Sequence, residues 1–464
     1  MKRVSHALSL VLVMCLFAAA GCAPPSNTTT TTGGVNTNTG QPAGAPPPAA
    51  PPAPASASGE AQLPVTLPVL DAMFQDPAFA AELKSRLALT DEQVARLRKV
   101  AEEERTSLSE EGEATGSTAA ARARAAEKLN EIVGADKLTP FSAFVRERWA
   151  GGEAGAAAAV PAKPNSVPAD TRVVVNAPAF RMDVFEDGRL LKTYRVGIGY
   201  PEFPLPQGQR KATQIIFNPT WTPPDEPWVK GKIKPGEKVE AGSKLNPLGP
   251  IKIPIGLPSL IHGGKSPARL GTFASHGCVG LTNKQVQDFA VVLAKLGGAE
   301  VSPEDVAGFA KTKSETKNVK LERDVPVELR YETIVVEDGK LYVYRDVYEK
   351  GTNTEENLRA VLEAHGVRLE DLTEQERAQV TEALQAMARD PQGNPVDGRP
   401  QPSPTPDKKG NVRETRTVKG EKQLVIEVAA LRGKGYPAPV NLDTGGAPQP
   451  KASPAPKKQQ PART

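Results

Sequence analysis

Cys278 is closely preceded by His262 and His276, two of the four histidines of a 464-residue chain that has only three cysteines. The passage reads Ile261-His262-Gly263-Gly264 and, further on, Phe273-Ala274-Ser275-His276-Gly277-Cys278-Val279. A thiol attacks a carbonyl only as its thiolate, so it needs a proton acceptor at hand and surroundings that favour the anion. Imidazole is such an acceptor near neutral pH. Gly277 lets backbone approach a substrate carbonyl, where nearby amides would stabilise an oxyanion. Spacing alone does not divide the base and oxyanion roles between the two histidines. Packing side chains, or a zinc site, are the competing readings. Zinc is disfavoured because His276 and Cys278 are next-nearest neighbours and no fourth ligand is evident, so no metal is expected. The clustering of both histidines about one cysteine favours nucleophilic chemistry without a cofactor.

The elements that must position these residues are mostly strands. Arg172-Val173-Val174-Val175 begins the strand signals, and Phe180, Met182 and Val184 alternate with other residues before an Asp187-Gly188 turn. Leu191 to Gly199 supplies the returning strand, and the same grammar recurs at Thr333 to Val336, Asp338-Gly339 and Leu341 to Tyr344. An antiparallel β domain is predicted. Thr282-Asn283-Lys284-Gln285 reads as a capping box ahead of Val286, Phe289, Ala290 and Leu293 at helical spacing. That helix begins four residues after Cys278, and its N-terminus is expected to lower the thiol pKa.

With these elements placed, the motifs resemble those of L,D-transpeptidases of the YkuD type. The resemblance rests on His262-Gly263 followed by Ser275-His276-Gly277-Cys278-Val279. Gly197-Ile198-Gly199 with Pro206-Gln207-Gly208, Asn218-Pro219-Thr220-Trp221-Thr222-Pro223-Pro224 and Asn246-Pro247-Leu248-Gly249-Pro250 precede them in the family's order. It implies a β-sandwich catalytic domain over 171–350 with a helix after the cysteine. It also implies that Cys278 is the nucleophile, that His262 is the base oriented by the Gly263 carbonyl, and that His276, with the amides of Gly277 and Cys278, shapes the oxyanion site. Ser275 would support the loop. The implied reaction is attack on the L-centred third residue of a peptidoglycan stem, with loss of D-alanine and formation of a thioester. An amine from another stem, an envelope protein, or water then takes the acyl group. An inert peptidoglycan-binding module is the alternative. Two positions depart from the pattern: Gly280 stands where Arg is usual, and Gln285 where Asp is common, with Asp288 one turn on. Trp221, Trp228, Tyr200 and Phe273 are candidates to line a stem-peptide groove, and Lys265 and Arg269 to meet a stem carboxylate.

The rest of the chain delivers or flanks this domain. With 45 Pro, 40 Gly and few aromatic residues, a single large globule is excluded. A net charge of +4 is too small to suggest nucleic-acid binding. Lys2 and Arg3 before an apolar run from Ala7 to Ala20 read as an export signal, and Ala19-Ala20-Gly21-Cys22 resembles a bacterial lipoprotein junction that implies lipid on Cys22. A membrane-anchored envelope protein, in the inner or outer membrane, is expected. Residues 1–22 are thus read as signal and 23–60 as a Pro/Ala/Thr-rich disordered tether reaching on the order of 110 Å. Residues 61–150 read as a small helical module, in which Thr90 to Gln93 is a capping box. Residues 151–170 read as a linker, 351–390 as C-terminal helices around Leu358 and Glu374, and 391–464 as a mostly disordered basic tail in which Leu424 to Val428 forms one strand at most.

Overall fold

The fold is taken from a computed structural model, which describes residues 63–114, 117–151, 163–223, 233, 236–396, 412–413 and 415–446. The signal, Cys22 and the tether lie outside these residues. The first part is helical: α1 (Leu67–Met73), α2 (Pro77–Leu87), α3 (Asp91–Ser107), α4 (Thr118–Val133) and α5 (Ala135–Gly151). Thr90 caps α3 as expected: Gln93 N donates to Thr90 Oγ1 at 3.1 Å and Thr90 N to Gln93 Oε1 at 3.0 Å. The helices close on a core of Phe79, Leu83, Leu97, Leu129, Phe141 and Val145.

Buried polar contacts join this helical module to the β-rich part of the chain. Thr66 Oγ1 donates to the Glu202 carbonyl at 2.6 Å, and Thr118 Oγ1 to the Pro201 carbonyl at 2.8 Å. The Glu349 carboxylate accepts from Ser117 Oγ and Thr118 N. Removing a buried hydrogen-bond donor leaves its acceptor unsatisfied, at about 1–3 kcal/mol each. The pair Thr66→Val and Thr118→Val is therefore expected to lower the denaturation midpoint of the full chain, with each change contributing separately.

The central sheet is built from β1 (Arg172–Asn176), β2 (Arg181–Glu186), β3 (Arg189–Arg195), β5 (Gly208–Phe217), β6 (Ile251–Pro254), β7 (Leu260–Lys265), β9 (Val279–Thr282) and β10 (Lys317–Arg330). The strands run in the order β9-β7-β6-β5-β10-β1-β2-β3. The sheet is mixed: β9 pairs with β7, and β10 with β1, in parallel. This corrects the purely antiparallel expectation. Hairpin signals report neighbours joined by tight turns, and neither parallel pair is joined by one. The returning strand also divides. After β3 the chain leaves the sheet, and β4 (Ile198–Gly199) pairs instead with β8 (Phe273–Ser275).

The run Val173-Val174-Val175 is buried on both faces of the sheet, which explains why it does not alternate with polar residues. Val173 and Val175 join the main core with Met182, Ile215, Ile261 and Phe289, whereas Val174 meets Phe185, Val335 and Tyr436 on the far side. Helix α6 (Asn283–Leu296) packs Val286, Phe289, Ala290 and Leu293 into the main core. Its capping box forms as predicted, with Gln285 N on Thr282 Oγ1 and Thr282 N on Gln285 Oε1.

Three expected boundaries move. The hairpin β11 (Ile334–Glu337) and β12 (Lys340–Tyr344), expected within the catalytic domain, forms a separate sheet with β13 (Gln423–Glu427). This sheet shares a core with α8 (Glu355–Ala364) and α9 (Glu374–Met387); between α6 and α8 lies the short α7 (Pro303–Phe309). Hairpin grammar carries no information about which sheet a hairpin joins. Residues 415–446, expected in the tail, are placed against the rest of the chain: along β3, Thr193 N donates to the Val440 carbonyl and Asp443 N to the Thr193 carbonyl. That segment covers what would otherwise be an open edge strand. Asn165, in the expected linker, is buried, and its side chain bonds Ile334 O and Val336 N.

Candidate active site

Strands β7 and β9 lie side by side, Val279 opposite Ile261 and Gly280 opposite His262. Residues two apart on a strand share a face. The apolar partners Ile261, Val279 and Leu281 all point into the main core. The other face therefore receives His262 and, from the residue just before β9, Cys278. Parallel pairing thus brings the imidazole and the thiol together although a loop, a short helical turn and β8 separate them along the chain.

His262 is buried, and its Nδ1 lies 2.7 Å from the Gly263 carbonyl. The Leu248 backbone carbonyl is a second acceptor for the ring. Burial, with the neighbouring charge of Lys265, pushes the imidazole pKa down to about 3, so the ring is neutral through the physiological range. The Asn-Pro-Leu-Gly segment thus acts directly on the site. A Cβ at Gly249, where φ is 68°, would strike Gly264 N and lie 2.7 Å from Asn283 Oδ1. Asn246 Nδ2 ties this segment to the other Asn-Pro motif through the Pro219 carbonyl at 2.7 Å.

Cys278 is half-buried. Its amide donates to Ser275 Oγ at 3.0 Å, and Ser275 Oγ donates in return to the Cys278 carbonyl, which closes the Ser-His-Gly-Cys loop. This corrects one expectation, because the Cys278 amide is already engaged. The neighbouring Gly277, with a φ of 88°, sets the loop's turn. A second expectation is also overturned. Burial raises the thiol pKa, opposed by a backbone hydrogen bond from Leu260 and by the charge of Lys265. Helix α6 is not among these influences: strand β9 separates Cys278 from it, about 13 Å of extended chain, and a helix terminus acts over about one turn.

The His276 ring is gripped by two aromatic edges, Tyr200 at 5.0 Å and Phe203 at 4.7 Å between centroids. Tyr200 is buried, and its hydroxyl accepts from Arg269 Nη2 at 3.1 Å, so both residues position His276 and its loop. Phe273 is fully buried against Phe180 and Tyr348, and a groove-lining role is excluded for it. An apolar position preceding a catalytic loop carries no signal that separates core from groove. Trp221 is half-exposed and bridges Val239. Trp228 lies outside the described residues. Gly199 is a close-approach position: a Cβ there would meet the Phe203 carbonyl oxygen and lie 3.1 Å from Gly277 Cα. Gly199→Ala is expected to push the Phe203 turn and the Gly277 turn apart. The expected outcome is an approximately hundredfold loss in the rate of Cys278 acylation, since displacements near 1 Å cost that much.

Residues 170–302 match the YkuD family model, described as the L,D-transpeptidase catalytic domain. The chain carries a YkuD-type L,D-transpeptidase catalytic domain. Over 170 residues it is 25% identical to the "Putative L,D-transpeptidase YqjB" of Bacillus subtilis (strain 168), a match that covers 35% of this chain and 89% of that protein. Among solved structures, the catalytic domain of the Enterococcus faecium L,D-transpeptidase is 16% identical, with a TM-score of 0.23, over 36% of this chain and all of that one. An L,D-transpeptidase from Mycobacterium smegmatis is 16% identical, with a TM-score of 0.22, over 35% of this chain and 58% of that one. The chain spans about half the length of the first of the solved structures it matches.

In this transpeptidase domain, Gln285 does more than cap α6: its Nε2 also donates to the carbonyls of Arg195 and Asp443, tying the C-terminal segment to β3. Asp288 accepts from Tyr194 and pairs with Lys192 at 2.6 Å. The Leu248 backbone, Phe203 and Asn283, whose Oδ1 accepts from Gly264 N at 2.8 Å, are site residues that the sequence alone does not single out. A cleft lined by Arg181, Asp183, Arg330 and Glu337 lies on the far face of the sheet and includes none of the candidate residues. Among the described residues no group of three or more His, Cys, Asp or Glu could hold a metal ion.

Proposed function

We propose that this protein is a cell-envelope L,D-transpeptidase, held by lipid at Cys22, in which Cys278 is the nucleophile and His262 the base. Cys278 Sγ attacks the carbonyl of the third residue of a tetrapeptide stem, and the bond to the terminal D-alanine breaks. The thiol proton passes to His262 and leaves with the D-alanine amine. An amine of a second stem or of an envelope protein then displaces the thiolate, conserving the acyl energy without a nucleotide. Transfer to a stem gives a 3→3 cross-link, and transfer to water gives an L,D-carboxypeptidase. The observation that carries this reading is the β9/β7 register, which sets His262 and Cys278 on one face beside a pinned, glycine-containing loop.

The test is intact-protein mass spectrometry of the full chain after exposure to a carbapenem, together with D-alanine release from disaccharide-tetrapeptide. A covalent adduct that maps to Cys278, with D-alanine release, is the expected result. The engaged Cys278 amide and the burial-raised thiol give an inert, peptidoglycan-gripping module a specific footing, and absence of both adduct and release would establish that reading instead.

A further inference from the structure

Gly280 stands directly opposite His262 in the β9/β7 register, two residues beyond Cys278 and on the same face of the sheet. Its backbone is fixed from the other side, where Gly280 and Gly197 exchange hydrogen bonds at 2.8 and 2.9 Å. A side chain at position 280 would stand beside His262. In its absence the Lys265 chain crosses the gap: a Cβ built on Gly280 would lie 2.8 Å from Lys265 Cγ, 2.9 Å from Cε and 3.3 Å from Cδ. The irregular pairing between Gly280 and Thr282 puts Lys265, at the end of β7, opposite Thr282 and turns its stem back along the strand.

The groups acting on the Lys265 ammonium are few. Cys278 attracts it, and Arg269, from the loop after β7, and His262 share its positive neighbourhood. No carboxylate pairs with it among the described residues. Lys265 is half-buried, and an ammonium drawn partly out of water without a carboxylate is costly unless something nearby gains negative charge. Cys278 is the group placed to do so.

We propose that Lys265, laid across Gly280, is the electrostatic partner that holds Cys278 as a thiolate when the thiol gives up its proton. Near neutral pH, below its own pKa of about 8, the lysine is an ammonium and passes no proton itself. Its charge is present before attack, whereas His262, held neutral mainly by burial, carries none until it takes the thiol proton. The mutual influence of the two groups agrees with this: Lys265 lowers the thiol pKa, and Cys278 raises that of Lys265, which burial and Arg269 nevertheless leave lowered to about 8. This assignment rests on Cys278 being the nucleophile, but not on the identity of the acyl acceptor or of the stem.

The experiment reads the thiolate directly and needs no peptidoglycan. Full-length protein is alkylated with iodoacetamide from pH 6 to pH 10, and the rate is followed by mass on the peptide that contains Cys278. Wild type is compared with Lys265→Met, Lys265→Arg and Gly280→Ala. Lys265→Met is expected to slow alkylation about tenfold at pH 7.5, the equivalence of one pKa unit with a tenfold change, and to shift the rising limb of the profile to higher pH. Lys265→Arg, which keeps the charge, is expected to stay within about threefold of wild type. Gly280→Ala, which leaves Lys265 in place but displaces its stem, should move in the direction of Lys265→Met. Overlay of the Lys265→Met profile on wild type overturns the proposal. Equal losses in Lys265→Met and Lys265→Arg also overturn it, since they would assign Lys265 to packing. If Lys265→Met does not fold, Gly280→Ala decides, and an unshifted profile there counts against the proposal. A shifted alkylation profile without D-alanine release would sustain this inference while removing the transpeptidase reading.

Discussion

Replacing Cys278 with alanine is expected to reduce D-alanine release and carbapenem acylation by at least about 10³-fold, while the melting temperature stays within a few degrees of wild type. The size follows from what is removed. A covalent mechanism has no route around its nucleophile, and what survives such a deletion comes from binding and oxyanion stabilisation alone. The fold should tolerate the change because Cys278 is half-buried at a strand entrance, and its backbone bonds to Ser275 do not involve the sulfur. Cys278→Ser is expected to be no better than alanine. Its hydroxyl would be asked to ionise in a site whose burial already raises the more acidic thiol. Measuring release and melting on the same preparations separates loss of chemistry from loss of structure. If Cys278→Ala retained release near the wild-type rate, the thioester course would be wrong whatever the family.

The capping boxes at Thr90 and Thr282, the hairpin at Asp187-Gly188 and the clustering of two histidines about Cys278 are all legible in the sequence, because each depends on residues near one another along the chain. What is not legible depends on distant pairing. The parallel alignment of β7 with β9 decides that Gly280 faces His262, and thus turns a missing side chain into a channel for Lys265. No local pattern marks that. The burial of Phe273 and the engagement of the Cys278 amide are equally nonlocal consequences of β8 pairing with β4 and of Ser275 reaching past His276. The C-terminal sheet is hidden for a related reason. Its third strand, Gln423–Glu427, lies far along the chain from the hairpin it completes, across a Pro-rich stretch that by composition reads as the end of the ordered chain.

His262 yields the second large effect, and it concerns stability. Its folded-state pKa is depressed to about 3 by burial and by Lys265, against about 6.5 for the unfolded chain. Between these values the unfolded state binds the proton that the folded state refuses. Stability therefore falls as pH drops below 6.5, by about 1.4 kcal/mol per pH unit once well into the window, and this residue costs about 2 kcal/mol at pH 5. Above pH 6.5 the contribution is flat, because the ring is neutral in both states. In denaturant titrations at pH 7.5 and pH 5, wild type is expected to lose about 2 kcal/mol more over the interval than His262→Gln, whose amide carries no titrating proton. Equal losses in the two proteins would show that the imidazole is not held neutral. The same depression bears on catalysis. A ring already neutral at pH 5 cannot produce an inflection near pH 6.5 in the rate of Cys278 acylation, so the acid limb of that profile should lack the break an ordinary histidine gives. The neutral ring can then accept the thiol proton only as the substrate carbonyl takes up the sulfur's charge. Burial therefore couples proton transfer to attack and disfavours a standing imidazolium in the resting site.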